Sequence, residues 1–427
     1  MTIKQLISNK QSAPLTEGDA KEFVADAMSG KYTNRQLAEF VKFCCNNKFT
    51  DQEVYTLASA MAQSGVQLYA SQKLGFCVDE YSFSNVPDGM SLVLMSVLAS
   101  LGFRCTKCVD EIGDASSDFF NAIKTKPFAS PSRLEEGGDS LTYLFSGKNK
   151  LAPLADVLYD FCYQLGEFCE PIIAACILAK KIAIGASIVL IDAKSGEGSQ
   201  FKIDQQQVQQ VANRLVNCGK LAGQKFVAVV TDFNWSISAS IGNLPLMGEI
   251  WDTLSGSKEY LASNLLVLTK EVAVCALLAS NLVSGRSQAA IMVDDVIKNG
   301  RAFDRLKKIG EQFGLKVEVA SRHNRLIDTA VSYITADFGG YVEDIKLGQF
   351  EQIANNLVGK GKTADYAAGI VLMCAEGDRV SAGDKLAQVL YSHNNNRYFK
   401  YAEGMYNCFK IGNTKPANTS LFYKVVI

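Results

Sequence analysis

The chain has 427 residues, 48% hydrophobic and 20% charged, which excludes a disordered protein and leaves room for about two to four domains. Lysine and arginine number 43 against 44 aspartates and glutamates, so the net charge is -1 and no electrostatic footprint marks a nucleic-acid or membrane-surface partner. With 12 cysteines and only 2 histidines, any histidine chemistry must use His323 or His393.

The start, Met1 to Ala13, is polar and lacks an apolar signal core. The longest apolar stretches, such as Ile172–Ala179, fall far short of a membrane span. These features predict a soluble cytoplasmic protein with reduced, mostly buried thiols. Cys105 and Cys108 form a CxxC, but no second ligand pair sits at suitable spacing, so no metal is expected. No cofactor is expected either.

The first 65 residues read as short helices. Thr16-x-x-Asp19, Thr33-x-x-Gln36 and Thr50-x-x-Glu53 are start signals that cap orphan N–H groups. Leu37, Phe40, Val41 and Cys44 then fall at helical spacing, as do Val54, Leu57, Ala58 and Met61. Near Gly75 the texture changes to apolar runs alternating with helical stretches. Residues 137–150 look like a linker or exposed hairpin. Ser187–Asp192 and Phe226–Thr231 read as buried strands, with a helix over Gln205–Asn217 between them. This pattern predicts a parallel sheet with crossover helices, whose ligand loops follow the strand ends, at Asp192–Phe201 and Asp232–Asn243. From about Ala364 the chain turns β-rich. Gly377–Val380 and Gly383–Leu386 give a strand–turn–strand signal, and Gln388–Tyr391 and Phe422–Ile427 add further strand.

Ala174–Phe201, Val227–Leu254 and Gly339–Leu386 resemble the thymidine/pyrimidine-nucleoside phosphorylase family in order and spacing, and the similarity runs over essentially the whole chain. The resemblance implies an α/β fold: a small all-helical domain plus a large mixed α/β domain with a β-rich C-terminal part. On this chain the helical, dimerising domain would take 1–65 and 155–185, the α/β domain 66–154 and 186–340, and the β-rich part 341–427. It implies a homodimer, and a cleft in which phosphate attacks C1′ of a pyrimidine nucleoside and displaces the base.

That family's phosphate loop reads Lys-His-Ser-x-Gly-Gly-Val-Gly-Asp-Lys-x-Ser-Leu, and Glu80–Leu92 aligns with it without a gap. Here Glu80 replaces the lysine, Tyr81 the histidine, Ser84 and Asn85 the paired glycines, and Pro87 the third, while Ser82 and Ser91 keep the phosphate-contacting serines. At an effective dielectric of 20 and 4 Å, exchanging Lys for Glu swings the interaction with an anion by up to roughly 8 kcal/mol. In the next signature, Glu111 stands at the arginine position and Ser116 at the phosphate-contacting threonine. Asp110 and Asp114 add acidity there. The base-holding arginine after Leu158-Tyr159 is absent. Cys176 replaces the base-holding serine and Lys180 keeps the lysine, one helical turn apart. Leu246 replaces a glutamate linked to a monovalent cation, so no such ion is expected.

Each retained residue has a plainer role beside the chemical one. Lys180 is a ligand contact or half of a structural ion pair. Ser82 and Ser91 are anion donors or ordinary turn and cap residues. Asp192-x-Lys194-x-Gly196-x-Gly198 is expected to shape a strand-to-helix turn, Cys176 to be a packed thiol, and the histidines to be structural. Tyrosine is a poor substitute for histidine near neutral pH, since its reference pKa is about 10. The resulting expectation is a family fold that has lost phosphorolysis and acts as a structural, scaffolding or regulatory component, within a larger assembly or alone. The alternatives are an active pyrimidine-nucleoside phosphorylase and a binder of nucleoside-like molecules with an altered site.

Overall fold

The computed structural model describes residues 1–84, 88–108, 142–145, 151–166, 168–234, 237–256, 263–313, 329–359, 364–417 and 420–427. Glu111, Ser116, Asp110, Asp114, Asn85, Pro87 and His323 lie outside these residues.

The N-terminal helices start where their caps predict. Thr16, Thr33 and Thr50 each accept a backbone N–H from the third residue on, whose side chain returns the bond. Thr2 and Asp204 build the same box ahead of Ile3–Ser12 and Gln205–Leu221. The apolar stripe of each helix turns inward: Leu37, Phe40, Val41 and Cys44 on Asn34–Cys45, and Val54, Leu57, Ala58 and Met61 on Asp51–Gln63. The helices Pro153–Leu165 and Glu170–Ile184 complete this layer and share one core with it.

The strands in chain order are β1 (Cys77–Ser82), β2 (Arg104–Cys108), β3 (Thr142–Phe145), β4 (Ile188–Ser195) and β5 (Lys225–Asp232). They continue with β6 (Ser240–Ile241), β7 (Thr329–Thr335), β8 (Gly340–Ile345) and β9 (Gly369–Leu372). The last are β10 (Arg379–Val380), β11 (Lys385–Ser392), β12 (Phe409–Gly412) and β13 (Phe422–Val426). The main sheet runs β13-β5-β4-β1-β2-β3. β5, β4, β1, β2 and β3 are parallel, and β13 is antiparallel to β5. Runs such as Ile188-Val-Leu-Ile191 are apolar on both faces because both are covered. One face carries the helical layer; the other carries Met90–Ser100 and the helices between Asn243 and Phe313. A third core joins the antiparallel sheets β10-β8-β12 and β6-β9-β11-β7 with the helices Leu347–Val358 and Arg397–Tyr406.

The tertiary structure corrects three expectations. Within 137–150, Thr142–Phe145 is a strand of the main sheet, parallel to β2, rather than linker or hairpin. The strand–turn–strand signal at 377–386 is kept, as β10, a turn and the start of β11, with β10 pairing to β8 and β11 to β7 and β9. Phe422–Val426 leaves the C-terminal part and closes the main sheet, while Ser240–Ile241 and Thr329–Thr335, from before residue 341, join β9 and β11. Asp192 and Lys194 lie inside β4, ahead of Gly196, and so do not shape the turn. Strand pairing decides all three, and pairing partners are remote in sequence.

Candidate functional site

The carboxyl ends of β1, β2, β4 and β5 gather polar groups that an apolar sheet has no packing reason to bury. Alternation sends them to two faces. Asp79 and Tyr81 face the helical layer; Glu80, Ser82, Lys107, Asp192 and Lys194 face the helix Met90–Ser100. The same alternation puts Cys105 and Cys108 on opposite faces, so the CxxC cannot close on one ion.

Towards the helical layer, Lys181 Nζ lies 3.0 Å from Asp79 Oδ2, both side chains fully buried. Thr106 Oγ1 donates to Asp79 Oδ1 at 2.8 Å. Lys181 also sits over the Tyr81 ring, 5.1 Å from its centroid. The Tyr81 and Tyr159 hydroxyls are 3.4 Å apart, and Tyr81 meets Phe83 edge-on. Phe201, held in the left-handed region at φ 62°, packs against Tyr159 and Tyr163. Lys180 is 6% exposed and its Nζ is 2.6 Å from Asp156 Oδ1. Cys176 is buried a turn away, and burial raises its thiol pKa far above the usual value.

On the opposite face, Lys107 Nζ is 2.7 Å from Glu80 Oε2, and both residues are buried. Lys194 Nζ is 2.7 Å from Asp88 Oδ2 and also contacts Asp192 and Ser82. Ser82 Oγ donates to Asp192 Oδ2 at 3.1 Å, and Thr231 Oγ1 to Oδ1 at 3.4 Å. Burial pushes the Asp192 carboxyl up to about 6, against the pull of Lys194. Burial lowers the Lys194 ammonium, but the charges of Asp192 and Asp88 outweigh it and hold its pKa above the usual value. Ser91 is buried in the first turn of Met90–Ser100. Leu246 is buried in apolar packing, and His393 is exposed after β11.

The expected residues therefore meet in two adjoining clusters, Tyr81, Lys180 and Cys176 on one face and Glu80 and Ser82 on the other. One expectation changes: Glu80 does not leave a bare negative charge, because Lys107 neutralises it. Asp88, Lys107, Asp156 and Lys181 escaped the sequence reading as pairing partners. Their one signal was a charged residue within an otherwise buried run, as in Arg104-Cys-Thr-Lys-Cys108.

The architecture is a mixed α/β fold, with helices on parallel and antiparallel sheets. It is similar to the crystal structure of anthranilate phosphoribosyltransferase (TrpD) from Thermus thermophilus, with a TM-score of 0.53 and 14% identity over 72% of this chain and 97% of that one. In sequence it is similar to pyrimidine-nucleoside phosphorylases. That of Bacillus subtilis is 28% identical, with 81% of each chain covered. That of Staphylococcus haemolyticus is 27% identical over 79% of this chain and 80% of its own. That of Geobacillus stearothermophilus is 27% identical over 87% of each. No protein-family model matches the chain.

Proposed function

We propose that this chain is a pyrimidine-nucleoside phosphorylase-like protein that has lost phosphorolysis. It serves as a structural, scaffolding or regulatory component, as a cytoplasmic homodimer through its helical layer. One observation carries the reading: among the described residues, Lys107, Lys180, Lys181 and Lys194, the buried lysines, are each paired to a carboxylate of the chain itself. An oxyanion or a departing base needs cations that can turn to it. Here the cations are committed, and two of them also lie against rings, Lys181 5.1 Å from the Tyr81 centroid and Lys194 5.5 Å from that of Phe233.

The test is a phosphorolysis assay with thymidine, uridine and deoxyuridine on the purified chain. We expect no turnover above a blank. Turnover in the ordinary enzymatic range, abolished by Lys180→Ala, overturns the reading. A monomer mass in sedimentation overturns the dimeric part. The competing reading, an active phosphorylase, is favoured by the similarity to enzymes of that name over about four-fifths of the chain, and the same assay decides it.

A further inference from the structure

Within the helical layer, three cysteines meet where the helix Asn34–Cys45 packs on the helices Pro153–Leu165 and Glu170–Ile184. Cys45 ends the first helix, Cys162 lies in the last turn of the second, and Cys169 caps the start of the third. Cys169 Sγ lies 3.7 Å from the Val41 carbonyl oxygen. In an α-helix that carbonyl receives the N–H of residue 45, so the contact sets the Cys169 sulfur beside the turn that carries Cys45. The Cys169 thiol also shares hydrogen bonds with the thiols of Cys162 and Cys45.

A buried thiol by itself packs as a small apolar group. Thiols in contact can also give up two electrons by joining. These three differ in access: Cys162 and Cys169 are sealed from solvent, whereas Cys45 is half-buried. An oxidant in solution therefore reaches Cys45 first. The hydrogen bond to Cys162, together with burial, raises the Cys169 thiol above the ordinary range, and the bond to Cys45 relieves it in part. Cys169 is thus protonated at neutral pH and suits the second step of an oxidation, in which a thiol attacks a sulfur already oxidised. Its place at the start of a fifteen-residue helix favours the negative charge it takes on as it attacks.

We propose that Cys45 and Cys169 form a redox modification site, in which hydrogen peroxide converts the pair to a disulfide that ties the end of the helix Asn34–Cys45 to the start of Glu170–Ile184. Peroxide transfers one oxygen to the Cys45 thiol, giving a sulfenic acid and a first water. The Cys169 sulfur then attacks the Cys45 sulfur. The S–S bond forms, the S–O bond breaks, and the hydroxide leaves with the Cys169 proton as a second water. The two sulfurs together lose two electrons, and the peroxide is reduced to water. A small thiol such as glutathione reverses the step by exchange. Both helices belong to the helical layer, so the bond fixes their seating on each other. The site holds whether or not the cleft carries out phosphorolysis.

The experiment treats the folded full-length chain with a stoichiometric amount of hydrogen peroxide, blocks the remaining thiols with N-ethylmaleimide, and maps the peptides by mass spectrometry. We expect the thiol count to fall by two, the peptides carrying Cys45 and Cys169 to be joined, and dithiothreitol to restore both. Cys45→Ser and Cys169→Ser should each abolish the cross-link, while Cys44→Ser and Cys162→Ser keep it. Circular dichroism checks that each variant folds. If Cys169→Ser does not, Cys45→Ser, at a half-buried position, decides together with Cys162→Ser. No cross-link in the folded wild type overturns the proposal. So does one that survives Cys45→Ser or Cys169→Ser, or one that Cys44→Ser or Cys162→Ser removes.

Discussion

Lys181 and Asp79 face each other with no solvent on either side chain. The Thr106 hydroxyl on Asp79 and the Glu80 carbonyl, 3.4 Å from Lys181 Nζ, add to the setting. Each charge compensates the other's loss of hydration, so removing one leaves the other buried and uncompensated. Lys181→Met should therefore destabilise the fold by about 3–5 kcal/mol, the usual range for breaking a buried pair. Urea unfolding of the two proteins checks it, and a loss within about 1 kcal/mol would mean that water reaches Asp79. The exposed pair Lys202–Glu197 gives the contrast, since both side chains are more than half exposed and its loss should fall within measurement scatter. None of this pairing was legible in the residues themselves. Lys181 follows Lys180 in an apolar helix, and nothing in the order says that one turns to Asp156 and the other to Asp79.

The helix Gln205–Leu221 lies against β5 and shows how an element is seated. Its cap and its apolar face, Val208, Val211, Ala212 and Leu215, follow from local pattern alone. Its distance from the sheet is set by Gly219. A Cβ there would lie 2.3 Å from Cδ2 of the buried Phe226 ring. In an exposed helix, alanine would gain up to about 1 kcal/mol over glycine. Here the overlap should win, and Gly219→Ala is expected to destabilise by about 1–3 kcal/mol. A thermal midpoint that rises in the variant would show that the ring moves aside without loss. The same helix extends to Leu221, a turn past the expected end at Asn217, because Cys218 and Gly219 pack into the core.

Glu249 joins two of the three cores. Its helix, Asn243–Ser255, buries Leu246, Met247 and Ile250 in the core over the main sheet. Its carboxylate accepts the N–H groups of Ala239 and Ser240, at 3.0 and 2.7 Å, where the C-terminal sheet begins. Burial pushes this carboxyl up to about 7, opposed by the hydroxyls of Ser263 and Ser240 and by the two N–H groups. The folded value thus lies above the unfolded one of about 4.3. The folded state holds the extra proton between those values, so this group's stabilisation is full below about pH 4 and is lost as pH rises through 7. Asp192, up to about 6, and Glu351, up to about 7, both by burial, act with the same sign. The thermal midpoint should decline as pH rises from about 5 to 8, the window of those values. Glu249→Gln should flatten that decline while lowering the midpoint throughout, because an amide cannot accept both N–H groups. An unchanged slope in the variant would exclude Glu249 as a source.

Local chemistry, written in the order of residues, was enough for the capping boxes, the apolar stripes, the buried strands and the alternation that implies a parallel sheet. Those features depend on neighbours within a few positions, and the structure keeps them. Motif comparison also brought Glu80, Tyr81, Ser82, Cys176 and Lys180 into one region. What they do there depends on groups 27 to 112 positions away: Lys107 on Glu80, Tyr159 on Tyr81, Lys194 on Ser82. Charge in a buried site is defined by its partner, and partners are brought together by strand order and helix seating. Read in sequence, Glu80 was an unmatched acid in a phosphate loop; folded, it is one half of a buried pair. The near-zero net charge likewise hid a buried cluster of acids and lysines, because composition sums over the chain whereas electrostatics acts over a few ångströms.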